Sequence, residues 1–322
     1  MTGNLTQLAR RRQEYTGETF CQARDGMLAS ARDGAIPEPT LEQARFEAEI
    51  LSNAGYGIGP QDPLSGKSRP FGILAAFPDK GMLQLSMGTD LGRFLISVVP
   101  ILEGDFYARG IAGLRVHFTA DGAVLTRFGS TATVVLRDID AQTWREALGG
   151  QYDCSAEEIT EQTGDSLLCE AGELHPAELD ELAAIEECRG ISSDACDLLM
   201  SGLLRRLHIF AGNPVMKFVD LWRNDCGDKS RINIEWAGHL THKRVITGLL
   251  DETFGLPLEM AEPACYCDCC STRVYSYTLR DIATGRVSVY LRRSALYDDE
   301  LHPERPGRQG TVHRTTATAI RS

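Results

Sequence analysis

The feature that most constrains the fold is a change in the spacing of apolar residues at residue 71. From there to residue 137, short apolar or alternating runs are separated by turn sequences such as Pro-Asp-Lys-Gly and Ala-Asp-Gly. Alternating runs bounded by Gly and Asp are typical of strands joined by hairpins. The predicted strands are 71–77, 82–87, 94–102, 114–119 and 123–137. The sequence therefore predicts a mostly antiparallel sheet, whose clearest hairpin turns at 120–122.

Helical patterns precede and follow this region. The sequence Thr-Leu-Glu-Gln from Thr40 has the spacing of a capping box, and Pro176 suits the first turn of a helix. The predicted helices are 5–14, 19–32, one that begins at 40, 140–148, 176–189, 193–210 and 240–254. The predicted later strands are 232–236, 273–279 and 287–291, of which the last two form a hairpin. The predicted class is α/β of the α+β type: an N-terminal helical arm, an antiparallel sheet domain, and a helical domain that ends in a β-hairpin.

Length and composition predict a division of the chain into several parts. A chain of 322 residues exceeds what a single hydrophobic core usually absorbs. The predicted parts are a helical arm at 1–54, an antiparallel sheet domain at 70–150, an acidic helical domain with a cysteine cluster and a hairpin at 151–300, and a mobile basic tail at 301–322.

The excess negative charge is concentrated in one segment. Residues 151–200 hold 14 acidic residues and one basic residue, whereas the whole chain has a net charge of −12. The rest of the chain is therefore close to neutral. An acidic run of this kind is most often the solvated face of amphipathic helices, and the alternative is a docking surface for a basic partner.

The sequence predicts a cytoplasmic protein without a membrane partner. No apolar stretch is long enough to span a bilayer, and the polar N-terminus lacks the apolar core of a secretory signal. In a reducing compartment, ten cysteines are expected to be thiols, metal ligands or redox groups. The cysteines of the acidic segment are expected to be small buried residues: Cys154, Cys169, Cys188 and Cys196.

A second cysteine group has the spacing of a metal site. In the sequence Cys-Tyr-Cys-Asp-Cys-Cys at 265–270, short spacings allow backbone turns to aim thiolates at one zinc ion. We expect Cys265, Cys267 and Cys270 to bind a structural zinc. The candidates for the fourth ligand are Cys269, Cys226, His239 and His242. Reduced thiols and a functional disulfide remain the alternatives.

No catalytic motif is complete. Gly66-Lys67-Ser68 lacks the glycine that a phosphate-binding loop needs five residues earlier, and no dinucleotide fingerprint is present. The residues with the chemistry of a metal-dependent hydrolase are Asp220, Glu235, His239 and His242. Their spacing matches no metallohydrolase motif, and a solvated loop with a helix cap explains it equally well.

Nucleic-acid binding is a further possibility. Basic residues are frequent near the N-terminus, at 10–12, and in the C-terminal part of the chain. The C-terminal candidates for phosphate contacts are Arg286, Arg292, Arg293 and Arg305. The tyrosines that could stack on bases are Tyr275, Tyr277 and Tyr290. The acidic segment would oppose such binding unless it lies elsewhere, and arginines on a hairpin are often only solvated.

Residues 8–23 and 40–48 resemble the N-terminal helices of uncharacterised actinobacterial proteins. The resemblance covers the predicted helical arm. It implies an actinobacterial origin, which agrees with the 28 arginines against five lysines expected of a GC-rich genome. It carries no activity, cofactor, partner or site residue over to this chain.

Taken together, these patterns predict a binding or regulatory protein that acts on a macromolecular partner, either a protein or a nucleic acid, with a structural zinc near its C-terminus. The alternative is a metal-dependent hydrolase that uses the Asp220, Glu235, His239 and His242 region. Whether the protein is an enzyme and how many subunits it has are left open.

Overall fold

The computed structural model describes residues 2–30, 34–57, 70–103, 106–152, 165–188, 193–211, 216–226, 229–238, 240–263 and 276–293. These residues contain eight α-helices, two short 3-10 helices and thirteen strands in three sheets. The predicted α+β class is confirmed.

The helices vary from eight to seventeen residues. They are α1 (Thr2–Thr16), α2 (Phe20–Ala29), α3 (Leu41–Gly57), α4 (Leu91–Val98), α5 (Ala141–Tyr152), α6 (Pro176–Glu187), α7 (Ser193–Arg205) and α8 (His242–Leu249). The 3-10 helices are Pro70–Gly72 and Leu207–Phe210.

The strands are β1 (Ile73–Pro78), β2 (Leu83–Met87), β3 (Ile101–Glu103), β4 (Phe106–Arg109), β5 (Leu114–Thr119), β6 (Gly122–Arg127), β7 (Thr133–Arg137), β8 (Asp165–Leu167), β9 (Met216–Cys226), β10 (Lys229–Gly238), β11 (Leu258–Pro263), β12 (Ser276–Asp281) and β13 (Val287–Arg293).

The first sheet has the order β1-β2-β7-β6-β5. Its predicted hairpin is confirmed, because Thr119 of β5 pairs with Gly122 of β6. All pairings are antiparallel except that of β2 with β7, where Leu83 lies opposite Val134. The small antiparallel sheet has the order β4-β3-β8, and its strand β8 follows the first sheet in the chain. After β2, the chain leaves the first sheet and builds α4, β3 and β4. It then re-enters the first sheet, so β7 runs parallel to β2.

One predicted strand of this region is wrong. Residues 94–102 are not a strand, because α4 ends at Val98 and only Ile101–Glu103 is extended. Phe94, Leu95 and Val98 are all fully buried. A short apolar run that is buried all round carries no periodicity that separates a helix from a strand.

The second sheet has the order β11-β12-β13-β10-β9. The predicted final hairpin is confirmed as β12 and β13, which pair in antiparallel register from Ser276 opposite Arg292. Strand β10 runs parallel to β13 and antiparallel to β9. The sequence did not predict β9 and β11.

Strands β10 and β13 of the second sheet each have one buried side. Ile232, Ile234 and Trp236 of β10 are fully buried, as are the valines and the leucine that alternate along β13. Trp236 packs against Phe210, with ring centroids 6.3 Å apart. We call this the inner face of the second sheet. The intervening residues of β10 lie on the opposite, outer face, because successive side chains of a strand alternate.

A single cluster of buried apolar residues joins these parts. It extends from Tyr15 in α1 through Phe46 in α3 and Leu85 in the first sheet to Leu203 in α7 and Leu291 in the second sheet. Residues from all three large predicted parts thus pack in one core. The domain boundaries drawn from composition stay a prediction.

The helix starts follow local sequence closely. The Thr19 side chain and Gln22 form a capping box at α2, and Thr40 accepts a hydrogen bond from the Gln43 N–H at α3. Pro176 is the first residue of α6, after a His175 cap. In α7, Leu199 and Leu203 are buried, whereas Leu198 is 40% exposed.

Three arginines are buried among these elements. Arg205 of α7 forms an ion pair with Glu47 of α3, and both side chains are completely buried. Arg12 pairs with Glu18 at 2.6 Å and also donates to the carbonyl of Ala35. Arg206 donates to the carbonyl of Phe254. These arginines therefore hold helices and loops together instead of forming a basic surface.

Candidate functional site

Several residues predicted from the sequence lie outside the described residues. They are Cys265, Cys267, Cys269, Cys270, His239, Tyr275 and Arg305. Two further candidates for the metal site are placed. His242 is the first residue of α8, and Cys226 is the last residue of β9, where its backbone pairs with Lys229.

His242 lies between two aromatic side chains of the inner face. Its ring centroid is 5.0 Å from that of Trp236 and 5.0 Å from that of Tyr277. Thr241 caps α8 by accepting a hydrogen bond from the Arg244 N–H, and Trp236 donates to the carbonyl of Leu240. These contacts fix the start of α8 against one end of the second sheet.

That end of the sheet also flanks the cysteine segment. Strand β11 ends there at Pro263, and β12 begins there at Ser276, because Pro263 pairs with Tyr277. Cys226 lies at the opposite end of β10, about 23 Å away along a strand that rises about 3.3 Å per residue. Among the placed candidates, His242 is thus near the ends of the flanking strands and Cys226 is far from them. Within the described residues, no three His, Cys, Asp or Glu side chains are grouped to hold a metal.

Of the proposed hydrolase residues, the structure describes the side chains of Glu235 and His242, whereas His239 lies outside the described residues and only the backbone of Asp220 is described. Asp220 is the backbone partner of Glu235 across β9 and β10. Glu235 lies on the outer face, where its Oε1 is 3.8 Å from the Nε of Arg292. His242 packs against the inner face instead. Glu235 and His242 are therefore separated by the sheet and cannot bind one ion.

The outer face of the second sheet combines basic and aromatic side chains. Tyr290 of β13 is central, because its neighbours across the sheet are Thr278 of β12 and Asn233 of β10. The guanidinium carbon of Arg231 is 5.8 Å from the centroid of the Tyr290 ring. The described charged side chains of this face are Lys229, Arg231, Arg280, Arg292, Glu235 and Glu259. Basic groups therefore outnumber acidic groups by four to two.

The ion pairs on this face are weak. Arg280 and Glu259 are 3.0 Å apart, with each side chain 50% exposed. Arg292 and Glu235 are farther apart, at 3.8 Å. Exposed pairs contribute about 0–1 kcal/mol because water and salt screen them. A strongly anionic ligand can therefore displace either carboxylate.

Asn233 provides a polar group below this surface. It is only 5% exposed, and its Nδ2 amide has no hydrogen-bond partner among the described residues. A buried donor without an acceptor costs about 1–3 kcal/mol. Since Asn233 neighbours Tyr290, a ligand with an acceptor group that stacks on Tyr290 would lie close to this amide.

The predicted nucleic-acid residues divide between the faces. Arg292 lies on the outer face, and Arg286 is exposed next to the β12–β13 turn. Arg293 has the inner-face position of β13, opposite Trp236. Tyr277 contacts His242 on the inner side, so Tyr290 is the one predicted tyrosine within the described residues that lies on the outer face.

The N-terminal basic run does not form one surface. Arg12 is buried with Glu18, and Arg11 forms an ion pair with Asp251 at 2.5 Å. Arg10 remains exposed. The prediction that residues 10–12 contribute to a nucleic-acid surface is therefore wrong for Arg12, because its guanidinium is buried and paired with Glu18.

Part of the acidic segment is structural as well. Glu178 of α6 is fully buried and accepts hydrogen bonds from Arg115 of β5 and from the Gly113 N–H. Burial alone would raise the pKa of Glu178, but these donors and the His175 N–H hold the pKa below its ordinary value. Glu178 therefore stays ionised and attaches α6 to the first sheet.

The cysteines of the acidic segment have mixed positions. Cys169 and Cys196 are buried as predicted, whereas Cys188 is exposed because it follows the last residue of α6. Cys154 lies outside the described residues. Burial raises the pKa of the Cys169 thiol to about 12, which keeps it protonated and unreactive at neutral pH.

Comparisons with protein-family models, curated proteins and solved structures found no match to this chain. Among the described residues, no helix has the length and apolar character needed to cross a bilayer. The candidate site is therefore defined by its own geometry: the outer face of the second sheet, with Tyr290 at its centre.

Proposed function

We propose that the protein binds single-stranded nucleic acid across the outer face of the second sheet. The observation that carries the proposal is the position of Tyr290, a partly exposed ring in the middle of a sheet face that bears four basic side chains. A ring at this position can stack on a base while the basic groups around it contact the neighbouring phosphates.

The chemistry of the face supports a single strand as the ligand. Unpaired bases expose their flat faces, and stacking on an aromatic side chain contributes about 1–3 kcal/mol per base. Lys229 and Arg231 lie on one side of Tyr290, and Arg280 lies beyond it on β12. Sheets that carry aromatic side chains are a recurrent platform for splayed RNA bases.

The acidic helix α6 is attached to a different part of the structure. Helix α6 packs on β4, and Glu178 anchors it to Arg115 of the first sheet. Helix α6 is therefore attached to the first sheet and the small sheet. The basic surface belongs to the second sheet.

The test is fluorescence anisotropy with labelled single-stranded DNA and RNA at several salt concentrations. We expect binding that weakens with salt, because phosphate contacts release counterions. Tyr290→Leu should weaken binding by about 5- to 150-fold, which corresponds to the loss of one stacked base. Arg231→Gln should weaken binding to all sequences and reduce the salt slope by about one.

The matched control is Arg24→Gln, which removes an exposed arginine on α2 that pairs only with its neighbour Asp25 among the described residues. It should bind as the unchanged protein does. The proposal fails if no binding occurs at low salt. It also fails if Tyr290→Leu binds normally while Arg231→Gln does not, because that result would indicate a general anionic partner, such as an acidic protein surface, without base stacking.

A further inference from the structure

We propose that a cleft between α1 and α8 binds a small molecule that carries a phosphate or diphosphate group. The cleft has a volume of 370 Å³. Its polar lining comes from two helices: Arg11, Glu14 and Tyr15 from α1, and Lys243, Arg244 and Thr247 from α8. Ile209 of the second 3-10 helix provides an apolar wall.

The lining has an excess of positive charge. Three basic side chains face one carboxylate, that of Glu14. Arg11 is partly neutralised by Asp251, which lies outside the lining. Lys243 and Arg244 are exposed, and neither forms an ion pair with another described residue. Two uncompensated cations at the mouth of a cleft attract a ligand with a charge near −2, which is that of a phosphate monoester at neutral pH.

The three α8 residues are aligned on one face of the helix. Thr247 follows Lys243 by four positions and Arg244 by three, and residues at these spacings are neighbours on a helix surface. A single phosphate can therefore contact the ammonium group, the guanidinium group and the Thr247 hydroxyl together. The positive end of the α8 dipole, near Thr241, adds to the attraction.

Arg11 is held in position on the opposite wall. Its Nη2 donates to Asp251, whose other carboxylate oxygen accepts from the N–H groups of Thr253 and Phe254. The Arg11 guanidinium carbon is also 5.7 Å from the centroid of the Phe254 ring. A guanidinium fixed in this way loses little freedom when it binds an anion, and its planar set of N–H donors matches the geometry of a phosphate.

Tyr15 closes the base of the cleft. Its ring stacks on Phe254, with centroids 5.4 Å apart. Burial raises the pKa of Tyr15, and the negative charge of Asp251 raises it further, so the phenol stays protonated. Its hydroxyl is therefore a donor at neutral pH, as an anionic ligand requires.

Size and shape limit the organic part of the ligand. A volume of about 370 Å³ is near the lower end of the range of about 300–1,000 Å³ that is typical of small-molecule pockets. The ring of Tyr15 is already covered by Phe254, so its stacked face cannot hold a nucleobase. These features favour a compact phosphate ester, such as a phosphorylated sugar, or a diphosphate without an aromatic group.

The cleft is independent of the nucleic-acid surface. Helix α8 begins against the inner face of the second sheet, through His242 and Trp236. Tyr290 and its basic neighbours lie on the outer face. Phosphate binding in the cleft therefore does not depend on nucleic-acid binding by the outer face.

The test is isothermal titration of the full chain with pyrophosphate, with inorganic phosphate and sulfate as comparisons at matched ionic strength. We expect saturable binding of pyrophosphate and weaker binding of the two smaller ions. Lys243→Met and Arg244→Gln should each weaken pyrophosphate binding by about ten-fold or more, because each removes a charged hydrogen bond. Glu14→Gln should strengthen it several-fold, because it removes the only carboxylate among the described lining residues.

Glu14, Lys243 and Arg244 are exposed, so these substitutions should leave the melting temperature close to that of the unchanged protein. Arg286→Gln is the matched control, because Arg286 is exposed next to the distant β12–β13 turn, and it should bind pyrophosphate normally. Tyr290→Leu should also leave pyrophosphate binding unchanged. The proposal is overturned if the unchanged protein shows no saturable binding. Equal affinities in the Lys243→Met, Glu14→Gln and Arg286→Gln variants would overturn it too.

Discussion

Replacing Glu47 by Gln should be among the most destabilising single changes in the chain. Glu47 accepts two hydrogen bonds from Arg205, at 2.6 and 2.7 Å, and both side chains are completely inaccessible to solvent. Ser201 and Gln43 donate to the same carboxylate. Arg205 also donates to the carbonyls of Pro37 and Asp79. The pair thus connects α3, α7 and two loops through the interior.

The magnitude follows from the charge that the substitution leaves behind. Gln has nearly the shape of Glu and can still accept from Arg205, so packing changes little. The Arg205 charge, however, loses its counter-ion in an interior without solvent. Removal of one partner from a buried ion pair costs about 3–5 kcal/mol. An unfolding entropy of about 2.1 cal/mol/K per residue gives about 1.5 °C per kcal/mol for a chain of 322 residues, so the unfolding midpoint should fall by about 4–7 °C.

The assay is urea and thermal unfolding of the unchanged protein, Glu47→Gln and Glu259→Gln. Glu259 is the matched control, because its ion pair with Arg280 is exposed and should contribute less than about 1 kcal/mol. If Glu47→Gln unfolds within about 1 kcal/mol of the control, the buried pair does not hold α3 against α7 and the reasoning is refuted. A double variant with Arg205→Met should be less destabilised than the sum of its parts, since it leaves no unpaired charge.

Three further predictions concern other parts of the chain. Donation by the Ser130 hydroxyl and by the Thr131 N–H and hydroxyl lowers the pKa of Glu42 to about 2. The resulting stabilisation is present above the unfolded pKa and is lost as pH falls towards 2. Glu42→Gln should therefore lower the melting temperature at neutral pH and lose this effect near pH 2, and equal differences at both pH values would contradict the assignment. Gly122→Ala should destabilise the protein in urea unfolding, because φ is 136° there and a Cβ atom would overlap the Leu136 carbonyl; normal stability would show that the turn relaxes freely. If zinc binds the cysteine segment, metal analysis of protein purified without added zinc should give about one zinc per chain, and chelation should lower the melting temperature; a ratio near zero would end that prediction.

The sequence predicted the helix starts and the turn that depend on interactions between residues close together in the chain. The capping residues Thr19 and Thr40, the first-turn Pro176 and the turn at 120–122 all act through neighbours within four residues. Strands β9 and β11 were missed because their pairing depends on distant partners. In β11, Glu and Pro are poor strand formers, and the strand exists because Leu258 and Met260 pair with β12.

The candidate site could be predicted only in part. Arg292 and Tyr290 were identified from their position in the final hairpin, but Arg231 and Asn233 were not. Strands β10 and β13 become parallel neighbours although other elements separate them in sequence, and no local pattern predicts that pairing. A usable signal was present in β10, where polar residues alternate with Ile232, Ile234 and Trp236. Such alternation indicates a strand with one polar face.

The buried inner face of the second sheet determines how the side chains of its outer face are spaced. Because the side-chain period of a strand is two, a shift of β10 by one residue against β13 would move Ile234 and Trp236 out of the core and Arg231 into it. The cost of exposing those apolar side chains sets the register. The register in turn sets the spacing of Arg231, Tyr290 and Arg292. Substitutions on the inner face, such as Ile234→Val, should therefore reduce the free energy of unfolding and leave the nucleic-acid affinity of the folded protein unchanged. Substitutions on the outer face should reduce nucleic-acid affinity and leave the free energy of unfolding unchanged.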